Sequence, residues 1–172
     1  MHSLIYLTGY MGCGKTTAGK KLAAKLNYNF IDLDSFIEET QNQSIPEIFA
    51  TKGEDTFREI EKDALHKTFD MSNTVISTGG GTPCYFDNME QMNKHGAIVY
   101  IKLSPKTLFD RLKNAKTERP LIKNFNDAEL LSFIEKALAK REPFYNKAKF
   151  IANGIGLTPK ILIDLLDIKN TI

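Results

Sequence analysis

Very little in this chain is one-sided. Lys and Arg total 23 against 21 Asp and Glu, a net charge of +2 with both signs interspersed. That balance gives no reason to expect nucleic acid or an anionic membrane as a partner. No apolar run approaches the length that spans a bilayer. The N-terminus lacks the charged-then-apolar pattern of an export signal, so the expected location is cytoplasmic. Cysteine is scarce: Cys13 and Cys84 suit a reducing compartment, and their positions argue against a disulfide staple. The three histidines, His2, His66 and His95, have no mutual spacing that suits a metal and read as surface residues. Internal repeats, low-complexity tracts and linkers are missing too. What remains is an ordinary globular composition, 42% hydrophobic and 26% charged over 172 residues, which is the size of one domain with a real core.

Against this background one segment stands out. Gly9-Tyr10-Met11-Gly12-Cys13-Gly14-Lys15-Thr16 spells G-x-x-x-x-G-K-[ST]. The apolar run Leu4–Thr8 before it reads as a buried strand, and the amphipathic run Thr17–Leu26 after it reads as a helix. Strand, loop and helix in that order are what a phosphate loop requires. Its glycines let backbone N–H groups turn inward at a helix N-terminus, forming a nest for anions. Lys15 adds a charge for the β- and γ-phosphates, and the Thr16 hydroxyl can ligate Mg²⁺. Gly12, Cys13, Gly14, Lys15, Thr16 and Thr17 are therefore candidate ATP contacts. Cys13 has two readings: a thiolate favoured by Lys15 and the helix N-terminus, or simply a small residue that fits the loop.

Short apolar segments then alternate with helical patterns, which predicts an α/β fold with helices on both faces of a parallel sheet. The expected strands are Leu4–Thr8, Asn29–Asp32, Thr74–Ser77, Ala97–Leu103 and Phe150–Ala152. Five such strands make an open doubly wound sheet whose ligand crevice lies beyond the strands' carboxyl ends. A helical insertion over about residues 34–70 is too long for a simple crossover. In it Ser44-Ile45-Pro46-Glu47 has capping-box spacing with proline in the first turn, and Gly53 ends that helix. Phe57, Ile60, Ala64 and Leu65 form the core face of the next. Arg58 lies beside that face, three residues from Glu61. A polar, basic stretch over about residues 114–126 reads as a flap. A long helix follows from Asp127, perturbed by Pro143, and Thr158-Pro159 starts a short last helix.

The third strand ends Val75-Ile76-Ser77-Thr78, without the carboxylate that usually closes a Walker B strand. The nearest acids suited to a metal are Asp32 and Asp34. Alternate residues at a strand end face opposite sides, so one acid can approach Mg²⁺ through water while the other faces a substrate. One of them capping the helix that starts near Ser35 is the plainer alternative. Gly79-Gly80-Gly81 puts bare backbone after a strand, where ligands bind; a turn accounts for one or two glycines, and three suggest close approach to a ligand.

In order along the chain, Gly9–Thr17, Asp32-Leu33-Asp34, Phe57-Arg58, Ser77–Gly81, Arg119-Pro120-Leu121 and Arg141-Glu142-Pro143-Phe144-Tyr145 resemble the shikimate kinase family over roughly residues 4 to 150. The resemblance implies a nucleoside-monophosphate-kinase-like fold, a substrate-binding insertion and a lid. It implies transfer of the γ-phosphoryl group of ATP to the 3-hydroxyl of shikimate, on the route to chorismate and aromatic amino acids. By matching motif, Asp34 would bind the ring hydroxyls and take or position the 3-hydroxyl proton. Arg58 and Arg141 would clamp the carboxylate, and Gly79, Gly80 and Gly81 would approach the ring. Arg119 would reach the phosphates from the lid, and Arg111 would lie near adenine. Thr16 would hold Mg²⁺ directly and Asp32 through water. The partners implied are shikimate and MgATP, and the implied state is a monomer. Phe49 and Phe57 either wall the ring or belong to the core. Beyond Ala152, the segment Asn153–Thr158 leaves any adenine contact unassigned.

Two rivals share the phosphate loop. A gluconate or nucleoside-monophosphate kinase fits less well with an Asp34, Arg58, triple-glycine and Arg141 set that suits a small hydroxy-acid. A non-catalytic nucleotide sensor fits less well with Lys15, Thr16, Asp32, Asp34 and Arg119 all present.

Overall fold

A computed structural model describes residues 2–115 and 124–168. Five parallel strands, β1 (Leu4–Thr8), β2 (Asn29–Asp32), β3 (Thr74–Ser77), β4 (Ala97–Lys102) and β5 (Phe150–Asn153), form one sheet in the order β2-β3-β1-β4-β5. The helices around it are α1 (Lys15–Leu26), α2 (Leu33–Gln41), α3 (Ile45–Lys67), α4 (Asn88–His95), α5 (Pro105–Lys113), α6 (Asp127–Tyr145) and α7 (Pro159–Leu165). This is the P-loop kinase architecture. The central strands β1 and β3 are buried at every residue, as expected where helices cover both faces of a parallel sheet. The edge strands β2 and β5 are only partly covered.

The strand order sets the site. The chain runs from β1 out to the edge at β2, returns to β3 between them, then crosses to β4. In register, Ser77 lies between Leu7 and Asp32. The carboxyl ends of β1, β2 and β3 are therefore neighbours, and the loops that follow them converge at one rim.

Local sequence explains where several elements start. Ser44 caps α3 with a reciprocal box to Glu47, and Asn126 caps α6 in the same way with Glu129. Gly53 does not end the helical path. It interrupts α3 with φ +80° and ψ 172°, and helix resumes beyond it, which only glycine does cheaply. α6 continues two residues past Pro143 to Tyr145, although the proline has no N–H for the carbonyl four residues before it. β4 stops at Lys102, one residue short of expectation, and β5 gains Asn153, its partner in register. The expected insertion folds as α2 and α3. The expected flap lies largely outside the described residues.

Candidate active site

The phosphate loop occupies residues 9–14, and α1 begins at Lys15, two residues earlier than the periodicity suggested. Gly14 is its N-cap with φ +101°, a left-handed conformation that disfavours any side chain, and no side chain caps the helix. The N–H groups of the first turn have no intrahelical acceptor, so they face the rim as an anion site. The Cys13 N–H instead closes the loop on Tyr10 O at 3.2 Å. Lys15 Nζ spans the loop, donating to Gly9 O at 2.8 Å and Tyr10 O at 3.2 Å.

Cys13 itself is buried, its Sγ 4.0 Å from Lys15 Nζ. That burial favours the small-residue reading. Arg111 has a contact that the sequence did not signal: its guanidinium donates to Cys13 O and Gly154 O, both at 3.0 Å. It ties the phosphate loop to the turn after β5, and these carbonyls engage both its Nη groups. The reason is topological, since β4 and β5 pair and bring α5 and that turn together.

Asp32 caps α2, the plainer of the roles that the sequence left open, and also meets Thr16. Its Oδ1 accepts the Asp34 N–H at 3.2 Å as N-cap of α2, while Oδ2 accepts the Thr16 hydroxyl at 2.7 Å. Ser77, at the end of β3 where a carboxylate was missing, lies 3.5 Å from the same Thr16 hydroxyl. Thr16 gives its proton to Asp32, which leaves lone pairs for a cation. Two adjacent hard oxygens beside a phosphate nest fit Mg²⁺, which keeps several waters and takes few protein ligands. Among the described residues no group of three or more His, Cys, Asp or Glu forms a metal cage.

The three glycines after β3 each face a different functional side chain. A β-carbon at Gly79 would lie 3.0 Å from Asp34 Oδ1 and 2.8 Å from Glu61 Oε1. At Gly80 it would lie 3.3 Å from Arg141 Nη1, and at Gly81 2.7 Å from Arg58 Nη1. The bare backbone thus makes room for the protein's own side chains. One continuous cavity of about 360 Å³ touches Gly14, Lys15 and Thr16 on one side and Asp34 and Gly80 on the other.

Asp34 is half-buried, and its pKa is raised from 3.8 to about 6, chiefly by desolvation and then by the carboxylates of Asp32 and Glu61. Arg58, 11% exposed, donates to Glu61 at 2.8 Å and Glu54 at 3.1 Å. Its Nε is buried and has no hydrogen-bond partner among the described residues. Arg141 has no ion pair among the described residues; its guanidinium lies over the Tyr10 ring, 5.4 Å from the centroid. One helical turn on, the Tyr145 hydroxyl donates to Gly80 O at 2.5 Å. Phe57 is buried in the core, whereas Phe49 is 36% exposed with its ring 4.5 Å away. Arg119 lies outside the described residues.

Sequence reasoning missed the Tyr145 brace and the Thr82 hydroxyl, which donates to Glu61 at 2.5 Å. The i, i+4 spacing of Arg141 and Tyr145 was the available signal for the first. Nothing local signalled the second.

Known proteins share this fold. The family model described as Shikimate kinase matches residues 11–166. A shikimate kinase of Bacteroides fragilis is 53% identical over 147 residues, covering 86% of this chain and 82% of the relative. The crystal structure of shikimate kinase from Bacteroides thetaiotaomicron superposes with a TM-score of 0.94 at 46% identity, covering 98% of this chain and 100% of the other. The Acinetobacter baumannii shikimate kinase in complex with shikimate gives 0.83 at 32% identity, over 98% and 96%. The chain belongs to the shikimate kinase family.

Proposed function

We propose that this chain transfers the γ-phosphoryl group of ATP to the 3-hydroxyl of shikimate, giving shikimate 3-phosphate and ADP. The observation that carries the reading is the glycine trio. It packs one acid and two arginines around three consecutive residues, and of that set Asp34 and Gly80 line the cavity that holds the phosphate loop. One carboxylate acceptor with ring hydroxyls suits that set, since arginine offers a planar, always-charged fork to a carboxylate.

The loop N–H groups and Lys15 hold the triphosphate. Thr16 and Asp32 would hold Mg²⁺, which when bound would neutralise charge on the phosphates. Arg58 and Arg141 bind the acceptor carboxylate, Gly80 lies along the ring, and Asp34 orients the 3-hydroxyl. That oxygen forms the new bond to phosphorus as the bond to the ADP oxygen breaks, and Asp34 is placed to receive the hydroxyl proton. A pKa near 6 leaves Asp34 mostly ionised at neutral pH, and a loose transition state asks little of a base. Arg119, from a lid over about residues 114–126, supplies charge to the transferred group. Arg111 acts at the nucleotide side by holding the loop. The protein works as a cytoplasmic monomer, which light scattering of the purified chain tests.

Coupled ADP-release assays with shikimate, gluconate and AMP separate this reading from its rivals. Shikimate-dependent turnover well above background hydrolysis is expected; turnover with gluconate or AMP alone would refute it.

A further inference from the structure

Arg58 is surrounded in an ordered way. On one edge its partner Glu61, only 1% exposed, is held by the Thr82 hydroxyl at 2.5 Å. On the other its partner Glu54, 54% exposed, is held by the Tyr85 hydroxyl at 2.9 Å. Glu54 uses the same oxygen, Oε1, for Tyr85 and for Arg58 Nη2. Both flanking carboxylates are thus tied by hydroxyls of one short segment, Thr82 to Tyr85, which starts where the glycine trio ends. The Tyr85 ring also lies against the guanidinium, with Arg58 Cζ 4.0 Å from its centroid; the Phe57 ring is farther, at 5.1 Å. Tyr85 therefore meets Arg58 twice, directly through its ring and indirectly through Glu54.

This matters because a guanidinium recognises a carboxylate only in its own plane, and an arginine free to rotate loses that preorganisation. Two acidic neighbours also compete with an incoming third. A ring on the face of Arg58 sets the plane, and the tie on Glu54 sets one edge. Nε is left without a partner among the described residues. We propose that Tyr85 is a positioning residue for the acceptor's carboxylate, acting through Arg58 without touching the acceptor. The proposal rests on the reading above that Arg58 binds that carboxylate.

The test is steady-state kinetics of Tyr85→Ala, Tyr85→Phe, Arg58→Ala and the Tyr85→Ala/Arg58→Ala double variant, with thermal melts of each. Tyr85→Ala should raise the shikimate KM roughly three- to thirtyfold, the range of a partly desolvated cation–π contact. Its kcat and ATP KM should stay within about twofold. Tyr85→Phe, which keeps the ring and loses the tie to Glu54, should fall between it and the unaltered protein. In the Arg58→Ala background Tyr85→Ala should add nothing. A wild-type shikimate KM in a folded Tyr85→Ala protein overturns the proposal, as does an effect that persists without Arg58. Should Tyr85→Ala fail to fold, Tyr85→Phe decides alone, and an unchanged KM overturns the role of the hydroxyl tie. An unaltered protein with no shikimate-dependent ADP release overturns the function itself, a distinguishable failure.

Discussion

The phosphate-facing half of the cavity draws on one continuous run, Gly9 to Thr17. The side proposed for the acceptor gathers Asp34 from α2, Arg58 and Glu61 from α3, the glycine turn after β3, and Arg141 and Tyr145 from the end of α6. The first relies mostly on backbone whose shape follows from local sequence, with Lys15, Thr16 and the Asp32 carboxylate that Thr16 meets as its main side chains. The second binds through side chains that are held in place by one another. Damage to the loop should therefore act on the nucleotide, and damage to the acceptor side should spread along its hydrogen bonds. The difference suits the ligands. A triphosphate offers the same charged oxygens to any protein, while a small hydroxy-acid has to be told from its relatives.

Removing Arg119 tests the comparison hardest, since it is assigned to neither half but to the group passing between them. Arg119→Ala should cost about a thousandfold or more in kcat with shikimate binding intact by calorimetry. If turnover survived, the transferred group would have to be stabilised by the two halves alone.

Asp34→Asn should lower kcat/KM for shikimate roughly a hundredfold or more. In the unaltered protein the carboxylate is the working form, so kcat/KM should fall as pH drops through about 6, and the substitution should flatten that limb. Stability should move the other way. A carboxyl whose folded pKa is raised favours the fold most at low pH, and that contribution is lost as pH rises from 3.8 through about 6. At pH 7.5, Asp34→Asn should therefore melt higher than the unaltered protein, by up to about 3 kcal/mol in stability, and at pH 3.5 the gain should vanish. Equal melting temperatures at pH 7.5 would contradict the burial argument.

Arg58→Ala should weaken shikimate binding roughly ten- to 150-fold, the worth of a hydrogen bond to a charged group, with little change in the ATP KM. Gly81→Ala is the subtler version. Its β-carbon would meet Arg58 Nη1 at 2.7 Å, the end of a flexible side chain that can move, so folding should survive while the shikimate KM rises about tenfold. An equal rise in the ATP KM would show the halves are not separable.

Tyr145→Phe should give the smallest effect. It removes only the bond to Gly80 O, a loss of about 1 kcal/mol that lowers the melting temperature by roughly 2–4 °C for a chain this size. A shikimate KM within about threefold of the unaltered protein is expected.

How much of this was legible beforehand follows the same division. The phosphate loop, the capping box at Ser44 and the strand alternation are local, because helix ends, tight turns and buried strands are decided by neighbours in sequence. Asp32 and Asp34 could be marked as important from their place after β2, but their sharing of tasks could not. That required knowing that β3 lies between β1 and β2 and so brings Ser77 and Asp32 to the same Thr16 hydroxyl. The three glycines were visible as bare backbone; what they make room for was not.

By itself the sequence determined the strand–loop–helix that binds phosphate, the helical insertion, the parallel sheet and, through its ordered motifs, the family. Tertiary structure alone decided that Arg111 braces the loop, that Cys13 is buried, that Thr82 and Tyr85 hold the two acids beside Arg58, and that Tyr145 holds Gly80. The physical reason is range. Backbone conformation answers to nearby residues, whereas a side chain's partner is chosen by the crossovers that bring distant segments together.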